Sequence, residues 1–182
     1  YGSIYFEMVI AVFMLLAGTN FTLYYFILKG HWKEFLSDSE LRFYLLVVSA
    51  STLLIALNLW SSNSYDSIGE SLRFSVFQTA SIITTTGFST ANYDLWPTFS
   101  KMILFILMFI GGCSSSTSGG IKAIRVLLLF KYIRRGISIR LHPRAVISIK
   151  VSEKPVSSDT VSAVVNFVFL YMGVFFIGVL LL

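Results

Sequence analysis

Four long apolar stretches separated by polar segments set the first reading of the chain. Residues 4–28, 41–60 and 98–110 are nearly free of charge, and a fourth stretch runs from Thr160 to Leu182. About 20 residues at ~1.5 Å rise make ~30 Å, the thickness of a bilayer's hydrocarbon core. The pattern predicts a helix over 3–28, a second over 41–60, a third passage over 98–134 and a last helix beginning near 159. The segment SDSE (37–40) supplies an N-cap and first-turn acids for the second helix, and Ser158 or Asp159 is the expected cap of the last.

Composition fixes the solvent. The chain is 55% hydrophobic and 13% charged, with 17 Phe and a mean hydropathy of +0.78. A soluble domain of this length needs more charged surface than that. The first stretch opens at Tyr1 with no basic start and no small-residue cleavage pattern, so it reads as a helix within larger membrane architecture instead of a signal peptide. The lone Cys113 forms no intrachain disulfide and builds no metal cluster. His31 and His142 fall in separate polar loops, as solvated or interfacial side chains.

The net charge of +5 is distributed unevenly. Segments 29–42 and 131–154 together hold ten basic residues, whereas 61–101 holds two, Arg73 and Lys101, beside Asp66, Glu70 and Asp94. The positive-inside bias places loops 29–42 and 131–158 in the cytoplasm and 61–97 outside. That topology accounts for the basic excess without nucleic acid, for which no basic helix or aromatic platform is present.

Segment 70–97 must then begin and end outside. Its first part, ESLRFSVFQTASIITTT (70–86), is too apolar for an exposed loop and too short and polar to span. A helix that dips in and an irregular strand that climbs out satisfies both facts, since non-helical backbone at membrane depth survives only buried in protein or lining a watery cavity. Gly87 is the expected turning residue, because glycine reaches positive φ without a Cβ penalty. The alternative is an extracellular amphipathic helix and turn.

The third passage is interrupted by GGCSSSTSGGIK (111–122), in which ten successive residues are Gly, Ser, Thr or Cys, a poor helix composition. Neither G-x-x-x-x-G-K-[ST] nor G-x-S-x-G fits it, and no acid–histidine partners accompany it, so no enzyme chemistry is indicated. About 14 residues beyond Trp96, at ~1.5 Å each, Gly111 lies ~20 Å in, past the midplane. A polar segment there can obstruct or open a path. Lys122 faces water, carbonyls or a carboxylate at that depth, or else snorkels with Arg125 to the cytoplasmic surface. Glu7 and Asn20 are further candidates for lining a pore, Glu7 being near the outer end of its helix and readable as interfacial.

MVIAVFMLLAGTN (8–20) and MILFILMFIGGCS (102–114) share Met, Met and Gly at a constant offset of 94, after which Lys29-Gly30 and Arg135-Gly136 match at 106. The second copy thus holds 12 extra residues, around 115–125. Both copies lead into a basic loop and an outward helix, as in the repeats of membrane transport proteins.

At TTTGF (84–88), Trp96-Pro97 and GGCSSSTSGGIKAIR (111–125) the sequence resembles the Trk/Ktr/HKT superfamily of potassium transporters, and AGTNFTLYY (17–25) and LHPRAV (141–146) most resemble its bacterial Trk-type branch. The resemblance covers essentially the whole chain. It implies an all-α polytopic membrane protein with four helix–pore-loop–helix repeats around a central pore, one inner helix being broken by an intramembrane Gly/Ser loop. The chain would hold an inner helix (1–30), a cytoplasmic loop (31–40) and a complete repeat (41–134) with pore helix 70–84. A basic cytoplasmic loop (135–158) and the first helix of the next repeat (159–182) would follow. By position, Thr85, Thr86, Gly87 and Phe88 would supply one quarter of the filter, with K+ at Thr85 and Thr86. Gly111, Gly112, Cys113, Ser114, Ser115, Ser116, Thr117, Ser118, Gly119 and Gly120 would form the gate, with Lys122 as a cation near the pore.

The resemblance further implies K+ as the transported ion with no covalently bound cofactor, and a bacterial inner-membrane location among lipids. It also implies a homodimer of the full-length protein and a cytosolic nucleotide-binding regulatory ring. A serine at the filter glycine of the first repeat accompanies sodium preference in some plant relatives, so Gly87 points to K+ for its quarter. The rival reading is a sodium-coupled secondary transporter with re-entrant hairpins. Against it stand the parallel sense of the repeat and the lack of an arginine for an anionic substrate in either broken segment.

Overall fold

A computed structural model describes residues 3–142, 148–152 and 154–181. Most of the LHPRAV segment, from Pro143 onward, lies outside the described residues, as do Tyr1, Gly2, Glu153 and Leu182. The elements are helices α1 (Ile4–Ala17), α2 (Phe21–Leu28), α3 (Trp32–Ser37), α4 (Ser39–Ser61), α5 (Ile68–Ile83), α6 (Thr98–Phe109), α7 (Ala123–Leu141) and α8 (Ser158–Leu181). A 3-10 turn over Tyr93–Leu95 precedes α6, and the short strands Lys150–Val151 and Lys154–Pro155 pair antiparallel before α8. Tyr1–Ala123 and Ile124–Leu182 are two compact units.

In the first unit α4 is the scaffold. Asp38 caps it, its carboxylate accepting from Leu41 N at 2.8 Å. Leu41, Tyr44, Val48, Thr52, Ile55 and Leu59 recur at three- and four-residue spacing along its buried face. This face packs with Ile83 of α5 and Leu104 and Leu107 of α6, while Leu46, Leu53, Leu57 and Trp60 look outward. Helix α5 is buried through small and polar positions: Ser71, Ser75, Gln78, Thr79, Ala80 and Ser81 are each at most 1% exposed. Small residues let backbones approach closely where apolar surroundings supply no hydrophobic drive between helices. Ser100 on α6 donates to Asn58 Oδ1 on α4 at 2.8 Å, closing the bundle.

The helix expected over 3–28 is two helices. Helices α1 and α2 meet at a 95° bend, so 25 residues of apolar sequence do not make one straight span. The cause lies in Gly18 and Asn20. A Cβ on Gly18 would stand 2.5 Å from Tyr44 Oη and 2.9 Å from Thr84 Cγ2, so the chain passes there only as glycine. Asn20 Oδ1 accepts from Thr22 N at 2.9 Å and starts α2. The carbonyls released by the bend are taken up: Leu16 O accepts from Thr19 Oγ1 at 2.7 Å and Tyr24 Oη at 2.6 Å, and Leu15 O from Tyr44 Oη at 3.3 Å.

In the second unit, Leu128 of α7 packs with Ile149, Val161 and Val164, and Arg125 lies 3.9 Å from the centre of the Phe167 ring. The cap of α8 is Ser157, one residue ahead of the expected pair. Its Oγ accepts from Thr160 N at 3.3 Å. Among the described residues two helices, α4 and α8, are long and apolar enough to cross a membrane, and the bent α1–α2 pair is a third candidate.

Gly18→Ala is expected to destabilise the full-length protein by about 1–3 kcal/mol, the usual cost of overpacking. Thermal melting in detergent checks this. Gly173→Ala, in α8 with open space around the added methyl, is expected to leave the melting temperature unchanged or slightly raised.

Candidate functional site

The site begins at the C-terminal end of α5. Ser67 caps the other end, accepting from Glu70 N at 3.1 Å, so the negative end of the helix dipole falls beside residues 84–88, where it favours a cation. The helix closes with Thr85 N donating to Ile82 O and Thr86 N to Ser81 O, at 3.0 and 2.9 Å. That closure requires a left-handed residue, and it is Thr85, at φ +55°. A β-branched residue there costs about 1–3 kcal/mol and persists only where its surroundings fix it. They do: Thr85 Oγ1 donates to Thr84 O at 2.7 Å and accepts from Gly119 N at 2.8 Å. The first turn out of the helix is therefore at Thr85. Gly87 makes the second, at φ +81° with nothing within 4 Å of a built Cβ, so conformation and not space demands glycine.

The returning strand is held from behind. Ser81 Oγ donates to Phe88 O at 2.6 Å, and Gln78 Nε2 donates to Ser89 Oγ at 2.9 Å. Thr84 Oγ1 donates to Ala80 O at 2.6 Å and shares a 2.8 Å bond with Thr86 Oγ1. Farther along, Trp96 Nε1 donates to Tyr65 Oη at 3.1 Å, and the Tyr65 ring stacks on Phe74 of α5. Residues 85–88 present an open face while their backs are braced.

Residues 111–120 form a closed loop. Gly111 N donates to Ile121 O at 2.8 Å and Ile121 N to Phe109 O at 3.0 Å, tying the two ends together. Inside it, Gly112 N donates to Ser118 Oγ at 2.7 Å. A Cβ on Gly111 would run into the carbonyl of Gly119, and one on Gly112 would stand 2.5 Å from Gly18 O. Cys113 N donates to that same Gly18 O at 2.8 Å, and Thr117 N to Ala17 O at 3.3 Å. Phe21 N returns a bond to Ser115 O at 3.3 Å. The loop therefore plugs into the bend between α1 and α2, so the two positions related by the 94-residue offset meet backbone to backbone.

Lys122 folds back over this loop. Its Nζ donates to the carbonyls of Ser116, at 3.3 Å, and Ser118. Carbonyl partners, which one of the sequence readings gave it, are among its contacts. At Ser114 the loop is bound by α4: Glu40 accepts from Ser114 N at 2.5 Å and Ser114 Oγ at 2.6 Å. Glu40 is 4% exposed. As a first-turn acid of α4 it was legible, whereas its burial against a residue 74 positions away carried no sequence signal.

Glu7 is also buried, not interfacial. Arg73 Nε on α5 meets its Oε2 at 2.6 Å, joining α1 to the pore-helix candidate. Asn20, a pore-lining candidate from sequence, caps α2 through its side-chain oxygen. Ser81 and Gln78, the braces of the 85–89 strand, were not singled out from sequence. On a helix that carries polar residues at many positions, nothing in the sequence set these two apart.

The family model for the cation transport protein TrkH matches residues 1–182. The chain is 38% identical to the Trk system potassium uptake protein TrkH of Salmonella typhimurium and 37% identical to that of Escherichia coli K12, over 94% of this chain and 36% of each relative. It thus spans a little over a third of the length of these relatives. A crystal structure of the potassium transporter TrkH from Vibrio parahaemolyticus matches 97% of the chain and 38% of its own, at 36% identity with a TM-score of 0.91.

Lys122→Met is expected to strip charge-assisted bonds from the loop and destabilise the full-length protein by about 1.5–3 kcal/mol, with Lys122→Arg recovering part of the loss. Equal melting temperatures for wild type and Lys122→Met would place the ammonium in solvent.

Proposed function

The chain belongs to the TrkH family of cation transport proteins, and from that premise we propose that it is one pore repeat, with its flanking helices, of a bacterial potassium-uptake protein. The observation that carries the reading is the segment 84–88. It sits at the negative end of a capped helix, is braced from behind by Ser81, Gln78 and Thr84, and is open in front. An ion filter replaces the hydration shell with backbone carbonyls, which needs an extended strand held rigidly from the rear. K+ is coordinated at Thr85 and Thr86, with Gly87 and Phe88 completing this repeat's share.

Below the filter, the loop 111–120 is the gate, within the membrane and held by Lys122. The bond from Gly119 N to Thr85 Oγ1 joins gate to filter. No covalent step is involved. The protein acts in the inner membrane among lipids, with loops 29–42 and 131–158 cytoplasmic and 61–97 periplasmic. The whole protein is a homodimer controlled by a cytosolic nucleotide-binding ring.

The test is K+ and Na+ flux into proteoliposomes holding the full-length protein, wild type against Gly87→Ser. At φ +81° the serine strains the strand and brings a hydroxyl beside the ion path. K+ preference is expected in the wild type and is expected to fall in the variant. Unchanged selectivity in a well-folded variant would make this segment a turn.

A further inference from the structure

Glu40 has no task as a helix cap, because Asp38 already occupies that position and accepts from Leu41 N. It is nevertheless 4% exposed, and a buried carboxylate is retained only where donors meet it. Both of its oxygens are engaged by one residue of the closed loop, Oε1 by Ser114 N and Oε2 by Ser114 Oγ. A two-pronged, charge-assisted grip of this kind fixes direction as well as distance.

The neighbours of Ser114 are fixed to other elements. Cys113 N is bound to Gly18 O at the end of α1, and Ser115 O to Phe21 N at the start of α2. Three consecutive loop residues thus hang on α1, α4 and α2 in turn. Ser115 is held in the left-handed region, at φ +54°, a conformation that relaxes once its flanks are free. Of the three anchors only Glu40 is a charged side chain, and the other two are single backbone bonds.

We propose that Glu40 is a positioning residue for the loop 111–120: its carboxylate latches Ser114 and keeps the loop seated against the α1–α2 bend, holding the gate shut. Opening requires the carboxylate to release Ser114, after which residues 113–116 swing out and Ser115 relaxes. The inference rests on the pore reading above for the word gate, but the latch itself is a statement about contacts. It can therefore be tested apart from transport.

Cys113 supplies the readout. It is fully buried at the seat of the loop and becomes reachable only when the loop lifts. In the full-length protein, with any cysteines outside this chain replaced, the rate of Cys113 modification by a small water-soluble maleimide is compared across Glu40→Gln, Glu40→Ala and Ser114→Ala. Ser114→Ala keeps the loop backbone and one of the two bonds, so it tests the latch without threatening the fold.

Glu40→Ala is expected to speed modification by at least about tenfold, the factor that losing a charge-assisted hydrogen bond gives. Ser114→Ala and Glu40→Gln are expected to fall between it and wild type. The double variant is expected to match Glu40→Ala, not the product of the two single effects. In proteoliposomes the same variants raise unstimulated K+ flux in the same order without changing K+/Na+ preference. Equal modification rates in all variants would overturn the latch, as would multiplying effects. Faster modification with no K+ flux from any protein, wild type included, would leave the latch standing and overturn the pore reading.

Discussion

Everything in the first unit depends on how two breaks in helical backbone satisfy each other. A helix that stops inside a bilayer strands up to four carbonyls or amides at each end, and each must find a partner away from water. The chain stops α1 at Ala17 and α6 at Phe109 and brings the two stops together. The carbonyls of Ala17 and Gly18 accept from Thr117 and Cys113, and the amide of Phe21 donates back to Ser115. Gly112 permits the approach, since a side chain there would collide with the Gly18 backbone, while Gly18 itself makes room for Tyr44 and Thr84. The bend and the loop are thus complementary halves of one joint.

The rest of the site is built outward from that joint. Tyr44 closes over Gly18 from α4, and Thr84 closes over it from the end of α5. The segment proposed as the filter therefore starts one residue away from the wall of the joint, and Thr85 carries the contact on to Gly119. The loop is gripped by two charged side chains, Glu40 at Ser114 and Lys122 at the carbonyls of Ser116 and Ser118. Farther out, the Glu7–Arg73 pair fixes α1 to α5 toward the N-terminal end of α5.

Periodicity and composition made most of the helices, the cap within residues 37–40 and the Gly/Ser break readable in advance, because each is decided by residues near one another in sequence. The 95° bend was hidden. An apolar run containing one glycine and one asparagine is compatible with a straight span, and only Tyr44 and Thr84 across the fold decide otherwise. Thr85 was hidden for a different reason: a β-branched residue is a poor choice for the left-handed region, so Gly87 drew the expectation of the turn. The partner that makes Thr85 tolerable, Gly119, lies 34 residues away. Glu40 and Glu7 share that limit, each being an acid whose role is set by a residue more than sixty positions distant.

A heavy K+ mimic would report on the ion site proposed in the braced segment 85–88. A crystal structure of the full-length protein in Tl+, with anomalous data, is predicted to show density within coordination distance of the backbone oxygens at Thr85 and Thr86. Anomalous density confined to other parts of the molecule, in protein that conducts K+, would contradict it.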